Sequence, residues 1–173
     1  MRHLTSLVLI ALLSMATVNL QAQETKHQHP EHLSVFINHY LNMKNALTEN
    51  DFKEAKSYLQ KLKKEGLKSS EMKNHPKHIK MHKKHHTAMM KAINAASKAE
   101  NLSEFRLAFA DISDHLIKAV KNQSYEQQKL YIQFCFMGRG NEGAYWLSEQ
   151  KKIDNPYLEK MSSCGKTVEE IEG

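Results

Sequence analysis

Residues 101–120 read NLSEFRLAFADISDHLIKAV, and this stretch decides the fold. Leu102, Phe105, Phe109, Ile112, Leu116 and Val120 recur every three or four residues. That spacing lays apolar side chains along one face of an α-helix. Asn101 followed three residues later by Glu104 is a capping-box pattern, so the helix is expected to start there. Upstream, Leu33, Phe36 or Ile37, Tyr40, Met43 and Leu47 mark another helix, beginning near His32. Thr48 to Asp51 stops it, and Asp51 with Glu54 caps the next, which carries Phe52, Ala55, Leu59 and Leu62 and ends at Gly66. Leu67 to Asn74 form a connector. Pro76 suits the first turn of a third helix that runs to about Ala99. Four amphipathic helices with short connections predict an all-α fold, an antiparallel bundle of about four helices.

Downstream of Asn122 the period changes. Leu130, Ile132 and Phe134 alternate with Tyr131, Gln133 and Cys135, which is strand spacing. A helical continuation from Ser124 competes with the short strand, and the sequence leaves both open. Gly138, Gly140 and Gly143 predict a loop, Tyr145-Trp146-Leu147-Ser148 the start of a turn or short helix, and Asn155-Pro156-Tyr157 a turn. The expectation is an irregular C-terminal cap on the bundle. Neither an internal repeat nor a domain boundary is visible, so residues 32–173 are expected to form one domain, with a Cys/Met motif region over about 124–168.

At the other end, Met1-Arg2-His3 is a short basic start, followed by an apolar run from Leu4 to Leu20 and by Leu20-Gln21-Ala22 at the usual cleavage positions. Residues 1–22 therefore read as a secretory signal peptide; the run is short for a membrane anchor. Residues 23–31, with His27, His29 and Pro30, read as a flexible lead-in. No later run reaches membrane length, so no transmembrane segment is expected in the mature chain. Export to the periplasm bears on the two cysteines. In an oxidising compartment Cys135 and Cys164 either pair or are protected by something such as a metal.

The chain has 173 residues, with 25 Lys plus Arg against 19 Asp plus Glu. The positive charge is concentrated: residues 53–91 hold 12 Lys and 3 Glu, while residues 99–173 hold 9 basic and 12 acidic side chains. A basic face attracts nucleic acid, anionic lipid or an acidic protein. Export argues against nucleic acid, and a solvated lysine face is the plain alternative. A glycine-rich phosphate loop, a nucleophile elbow and a His-Glu-x-x-His motif are all missing from the sequence, so no enzyme activity is expected.

The unusual feature of the composition is its 11 His and 9 Met. Two of the methionines stand beside the two cysteines, in Cys135-Phe136-Met137 and Met161-Ser162-Ser163-Cys164. Two thiolates with two thioethers make a soft ligand set suited to Cu(I) or Ag(I). Zinc accepts thiolates but has little use for methionine. Trp146 lies between the pairs, and its ring is a candidate cover for a bound cation. Against this stands a simple disulfide, closing a loop of about 30 residues, with Met137 and Met161 as packing.

The C-terminal motifs also resemble a known family. Tyr131-Ile132-Gln133-Phe134-Cys135-Phe136-Met137, Gly143-Ala144-Tyr145-Trp146-Leu147-Ser148, Ile153-Asp154-Asn155-Pro156-Tyr157, Met161 and Cys164-Gly165 are similar to a bacterial periplasmic domain of unknown function. That domain occurs alone or fused to adaptor subunits of heavy-metal (copper/silver) efflux pumps. Its pattern is Cys-Pro-Met, Trp-Leu, Asn-Pro-Tyr and Met-x-x-Cys-Gly. The helical part fits at Arg106, Phe109 and Ile112-Ser113, and the resemblance extends over roughly residues 33–168. It implies metal-linked periplasmic work beside an efflux-pump adaptor or another periplasmic metal protein, with Cys135, Met137, Met161 and Cys164 as the matching ligands. Phe136 replaces the family's Pro, and Leu158-Glu159 replaces a Phe-Gly pair, which removes local backbone constraints.

A second cluster lies on the third helix. His75, His78, His82, His85, His86 and Met89 fall along one helical stripe. Imidazoles four residues apart can share a metal, with Cu(II), Zn and Ni as plausible guests. The stretch is equally a lysine-rich solvated face, and its far end runs into Met89, Ile93 and Ala96 at the core edge. His115, alone beside an apolar face, is expected to be packed or hydrogen-bonded. The sequence thus points to an exported Cu(I)- or Ag(I)-binding chaperone, buffer or efflux accessory, with an auxiliary metal-capturing stripe. Its rival is a structural or interaction module with a Cys135–Cys164 disulfide and a basic docking face.

Overall fold

Apolar residues three and four apart do fold as helices. The computed structural model describes residues 28–69, 76–123 and 125–173. Residues 1–22, read as the signal, lie outside them. Helix α1 spans Gln28–Thr48, α2 Phe52–Ser69, α3 Pro76–Ala96 and α4 Leu102–Asn122. Helix α1 starts four residues before His32, inside the segment read as a lead-in. The starts of α2 and α4 follow the cap chemistry in the sequence. The Glu54 amide donates to Asp51 Oδ1 at 2.8 Å, and the Glu104 amide donates to Asn101 Oδ1 at 2.9 Å. Among the described residues, no helix is long and apolar enough to cross a membrane.

Helix α1 packs along α2 and α3 along α4, each pair joined by a short turn, so the molecule is mostly helical and bundle-like. Ile37, Tyr40, Met43 and Leu47 from α1, Leu59 and Leu62 from α2, Ile93 from α3, and Phe105, Phe109 and Ile112 from α4 are sealed in the core. Of the two candidates Phe36 and Ile37, Ile37 is fully buried while Phe36 packs at the margin.

The tail is more regular than an irregular cap. Strand β1 (Leu130–Cys135), β2 (Ala144–Ser148) and β3 (Lys166–Ile171) form an antiparallel sheet in the order β2-β1-β3. The strand alternative for Leu130–Cys135 therefore holds over the helical one. Tyr145 to Ser148, expected as a turn or short helix, are instead extended. There Tyr145 pairs with Phe134 and Trp146 with Gln133. Strand β3, of sequence Lys-Thr-Val-Glu-Glu-Ile, carries no apolar alternation that periodicity could detect. Its place comes from backbone pairing to β1 and from ion pairs such as Lys121–Glu169 and Lys151–Glu170. The predicted glycine loop is a tight turn over Gly138–Asn141 in which Arg139, Gly140 and Asn141 adopt positive φ.

Candidate functional site

The sheet brings the two sulfur motifs together. Cys135 ends β1 opposite Ala144, and Cys164 stands two residues before β3, whose Lys166 pairs with Phe134. Residues 29 apart in sequence thus meet with Cα atoms 6.0 Å apart, and their side chains are joined as a disulfide. Cys135 is buried, while Cys164 is only partly covered.

Both sequence-identified methionines are carried on the same two segments. Met137 follows the end of β1, opens the Gly138–Asn141 turn, and is packed partly against the core. Met161 is exposed, and its backbone carbonyl accepts a hydrogen bond from the Cys164 amide at 3.0 Å. Trp146 is fully buried, edge-on to Tyr157 with ring centroids 5.9 Å apart. Its indole Nε1 has no hydrogen-bond partner among the described residues. The ring reaches the sulfur segment at Gly165: a Cβ added there would lie 2.9 Å from Trp146 Cη2 and 2.9 Å from the Phe134 carbonyl oxygen. Gly165 also holds φ +139°, so the Cys164-Gly165 step needs glycine for both conformation and space.

Asn155 organises the 161–164 turn, and sequence reasoning noted it only as part of a turn signal. It is fully buried and hydrogen-bonded through its backbone amide and both ends of its side-chain amide. Its amide donates to the Ser162 carbonyl at 2.7 Å, its Nδ2 donates to the Cys164 carbonyl at 2.7 Å, and its Oδ1 accepts from the Tyr157 amide at 2.7 Å. Tyr157 is fixed in turn. Its hydroxyl donates to the Tyr145 carbonyl at 2.6 Å and lies 3.3 Å from Ser113 Oγ, which is 2.7 Å from the Tyr40 hydroxyl. The Leu147 amide donates to the Tyr40 oxygen at 3.2 Å. A buried polar chain therefore runs from α1 and α4 through β2 to the cysteine turn. Burial pushes both phenols above their ordinary range, so they act as neutral donors and acceptors.

The histidine stripe is divided. His75 lies outside the described residues, and His78 and His82 lie in the part of α3 whose side chains are not described. His85 and His86 are half-buried, and His86 Nε2 donates to the Gly66 carbonyl at 2.7 Å, tying α3 to α2. Met89 is buried in the core. His115 is half-buried on α4. Burial and then the Lys118 ammonium lower its pKa, while Asp111 and Asp114 oppose them and His85 adds to the lowering. Among the described residues no three His, Cys, Asp or Glu side chains gather as a metal group. A set of two cysteines and two methionines does not require one, and its donors are soft throughout.

Residues 36–128 match the model of a family described as "Protein of unknown function (DUF3347)". The matched residues cover most of α1 and all of α2, α3 and α4, and end before β1. Cys135, Met137, Met161 and Cys164 lie beyond them. No curated protein and no solved structure matches the chain.

Proposed function

The chain belongs to the DUF3347 family of proteins of unknown function, and from that premise we propose that it is an exported, non-enzymatic protein that binds a soft metal ion. The ion is Cu(I) or Ag(I), and the ligands are the reduced thiols of Cys135 and Cys164 with the thioethers of Met137 and Met161. Its work is that of a periplasmic metal chaperone, buffer or accessory to a heavy-metal efflux adaptor. The observation that carries this reading is the meeting of two Cys/Met segments, distant in sequence, at one end of the sheet. Thiolate and thioether donors at neighbouring chain positions suit a monovalent soft cation better than any hard divalent one. The half-buried His85 and His86, with their neighbours on α3, form an auxiliary capture surface for Cu(II) or Zn.

Titration of the dithiol-reduced protein with Cu(I) against a chromogenic chelator tests this. Stoichiometric binding in wild type, strongly weakened in Cys135→Ser and Met161→Leu, is the expected result. Binding no tighter in wild type than in the double variant overturns it. The disulfide itself favours a second reading, a stapled interaction module whose lysine-rich α2 and α3 dock an acidic partner. Mass spectrometry of protein taken from its own compartment separates them: a quantitative disulfide that resists mild reduction favours the module.

A further inference from the structure

The surroundings of the disulfide differ on its two sides. Cys135 is buried at the end of the central strand, while Cys164 is partly open beside the exposed Met161, Ser162 and Ser163. The backbone that carries Cys164 is held by groups other than the S–S bond. Asn155 grips it at the Ser162 and Cys164 carbonyls, and the Cys164 amide donates to Met161. Gly165 is seated between the Phe134 carbonyl and Trp146, and β3 continues the pairing from Lys166 onward. On the other side, Cys135 is fixed by its pairing with Ala144. None of these constraints runs through the S–S bond itself.

We infer that the Cys135–Cys164 disulfide is a removable closure over a preformed soft-metal site, opened by a dithiol reductant, and that Asn155 is the positioning residue that keeps the open thiols in place. This rests on the metal-binding reading and adds its regulation. One thiolate of the reductant attacks the Sγ of Cys164, the less buried of the two cysteines, the S–S bond breaks, and Cys135 leaves as a thiolate. The reductant's second thiolate then attacks its own sulfur in the mixed disulfide, releasing Cys164 and closing the reductant into a disulfide. The two electrons come from the dithiol, and the two cysteines end reduced. Cu(I) then displaces whatever protons the thiols carry and binds between residues already in register. Reoxidation by a disulfide oxidant reverses the sequence and expels the metal.

The test compares three states of the full chain by Cu(I) titration against a chromogenic chelator, with free thiols counted in parallel and folding followed by circular dichroism. Oxidised wild type is expected to lose Cu(I) binding and reduced wild type to show two thiols and full binding. Reduced Asn155→Ala should show the same two thiols and a helical spectrum, yet bind Cu(I) about 10–100-fold more weakly, the usual effect of removing a group that orients metal ligands. Asn155→Asp keeps the acceptor for the Tyr157 amide and loses the Nδ2 donor to Cys164. It serves as the second variant if the alanine protein unfolds, with an intermediate loss expected. Equal binding by oxidised and reduced wild type overturns the closure while leaving a metal site intact. Unchanged affinity in the folded Asn155 variants overturns the positioning role. Absence of binding in every state removes the metal-binding reading itself, and the closure with it.

Discussion

Arg106 joins three pieces of chain through one guanidinium. Its Nε donates to the Pro156 carbonyl at 2.9 Å, and its Nη2 donates to the Leu47 carbonyl at 2.9 Å and to Asn50 Oδ1 at 2.6 Å. The side chain is buried, so these acceptors have little water to turn to. Arg106→Met keeps the aliphatic stem but strands the carbonyls, and should cost about 2–4 kcal/mol of unfolding free energy, read from the urea midpoint. A change within experimental error would mean that water replaces the guanidinium. Tyr40→Phe removes one hydroxyl shared by Ser113 and the Leu147 amide. A loss of about 1–2 kcal/mol in the same assay is expected, because a buried amide is left unpaired. Such residues are hard to see in sequence. Tyr40 was legible as an apolar-face position, since periodicity reports which face a residue is on. Its hydroxyl partner is 73 residues away, and nothing local announces it. Asn155 is similar: Asn-Pro signals a turn, but the grip on Cys164 appears only once the chain has folded back.

Elements were legible where one helical face had to be buried, and less so where backbone pairing decided. The apolar positions of α4 were readable because Phe105, Phe109 and Ile112 all face a core. Strand β1 was half-readable, since buried positions occur on both of its faces and dilute the alternation: Gln133 is as buried as Leu130. Caps can be weighed separately. Asn101 accepts from the Glu104 amide, and Glu104 in turn accepts from the Glu100 amide at 2.9 Å. Asn101→Ala should therefore lower stability by about 1 kcal/mol, while Asn101→Ser should restore most of it in urea unfolding. A different link ties α1 to the end of β2. Glu149 accepts from Asn45 Nδ2 at 3.0 Å and lies 3.4 Å from the buried Lys44 Nζ. Burial raises the Glu149 carboxyl, but the Asn45 and Lys44 contacts outweigh it and hold it below the usual range. A lowered folded pKa stabilises the protein above the unfolded value of about 4.3, and the contribution is lost as pH falls through the lower folded value. The stability gap between wild type and Glu149→Gln should accordingly be present at neutral pH and shrink under acid. A gap independent of pH would show that the carboxylate charge contributes nothing.

At the scale of the whole molecule, the bundle and the sheet are two layers joined by the buried chain from Tyr40 through Ser113 and Tyr157 to the cysteine turn. The disulfide is the covalent part of that junction, closing the segment that contains β2 and the Asn155 turn. Cross-linking 29 positions apart restricts the unfolded chain by about 3–4 kcal/mol. Because the helical core of α1 to α4 lies outside the closed loop, Cys135→Ser/Cys164→Ser should remain folded with helical content intact, its urea midpoint lowered by that amount. Reduced wild type should lose the same stability as the double variant, because both lack the same cross-link. The two then part on addition of metal. A ligand that binds the folded state alone stabilises it by RT ln(1 + [L]/Kd), or about 2.7 kcal/mol at a free concentration one hundred times Kd. Buffered Cu(I) should thus recover most of the lost stability in the reduced wild type and none in the double serine variant. Equal recovery in both would place the metal away from the two thiols. Recovery in neither would leave the disulfide as a purely structural staple. Since midpoints are read without following any transport activity, the experiment tests the proposed metal binding at the two thiols by itself.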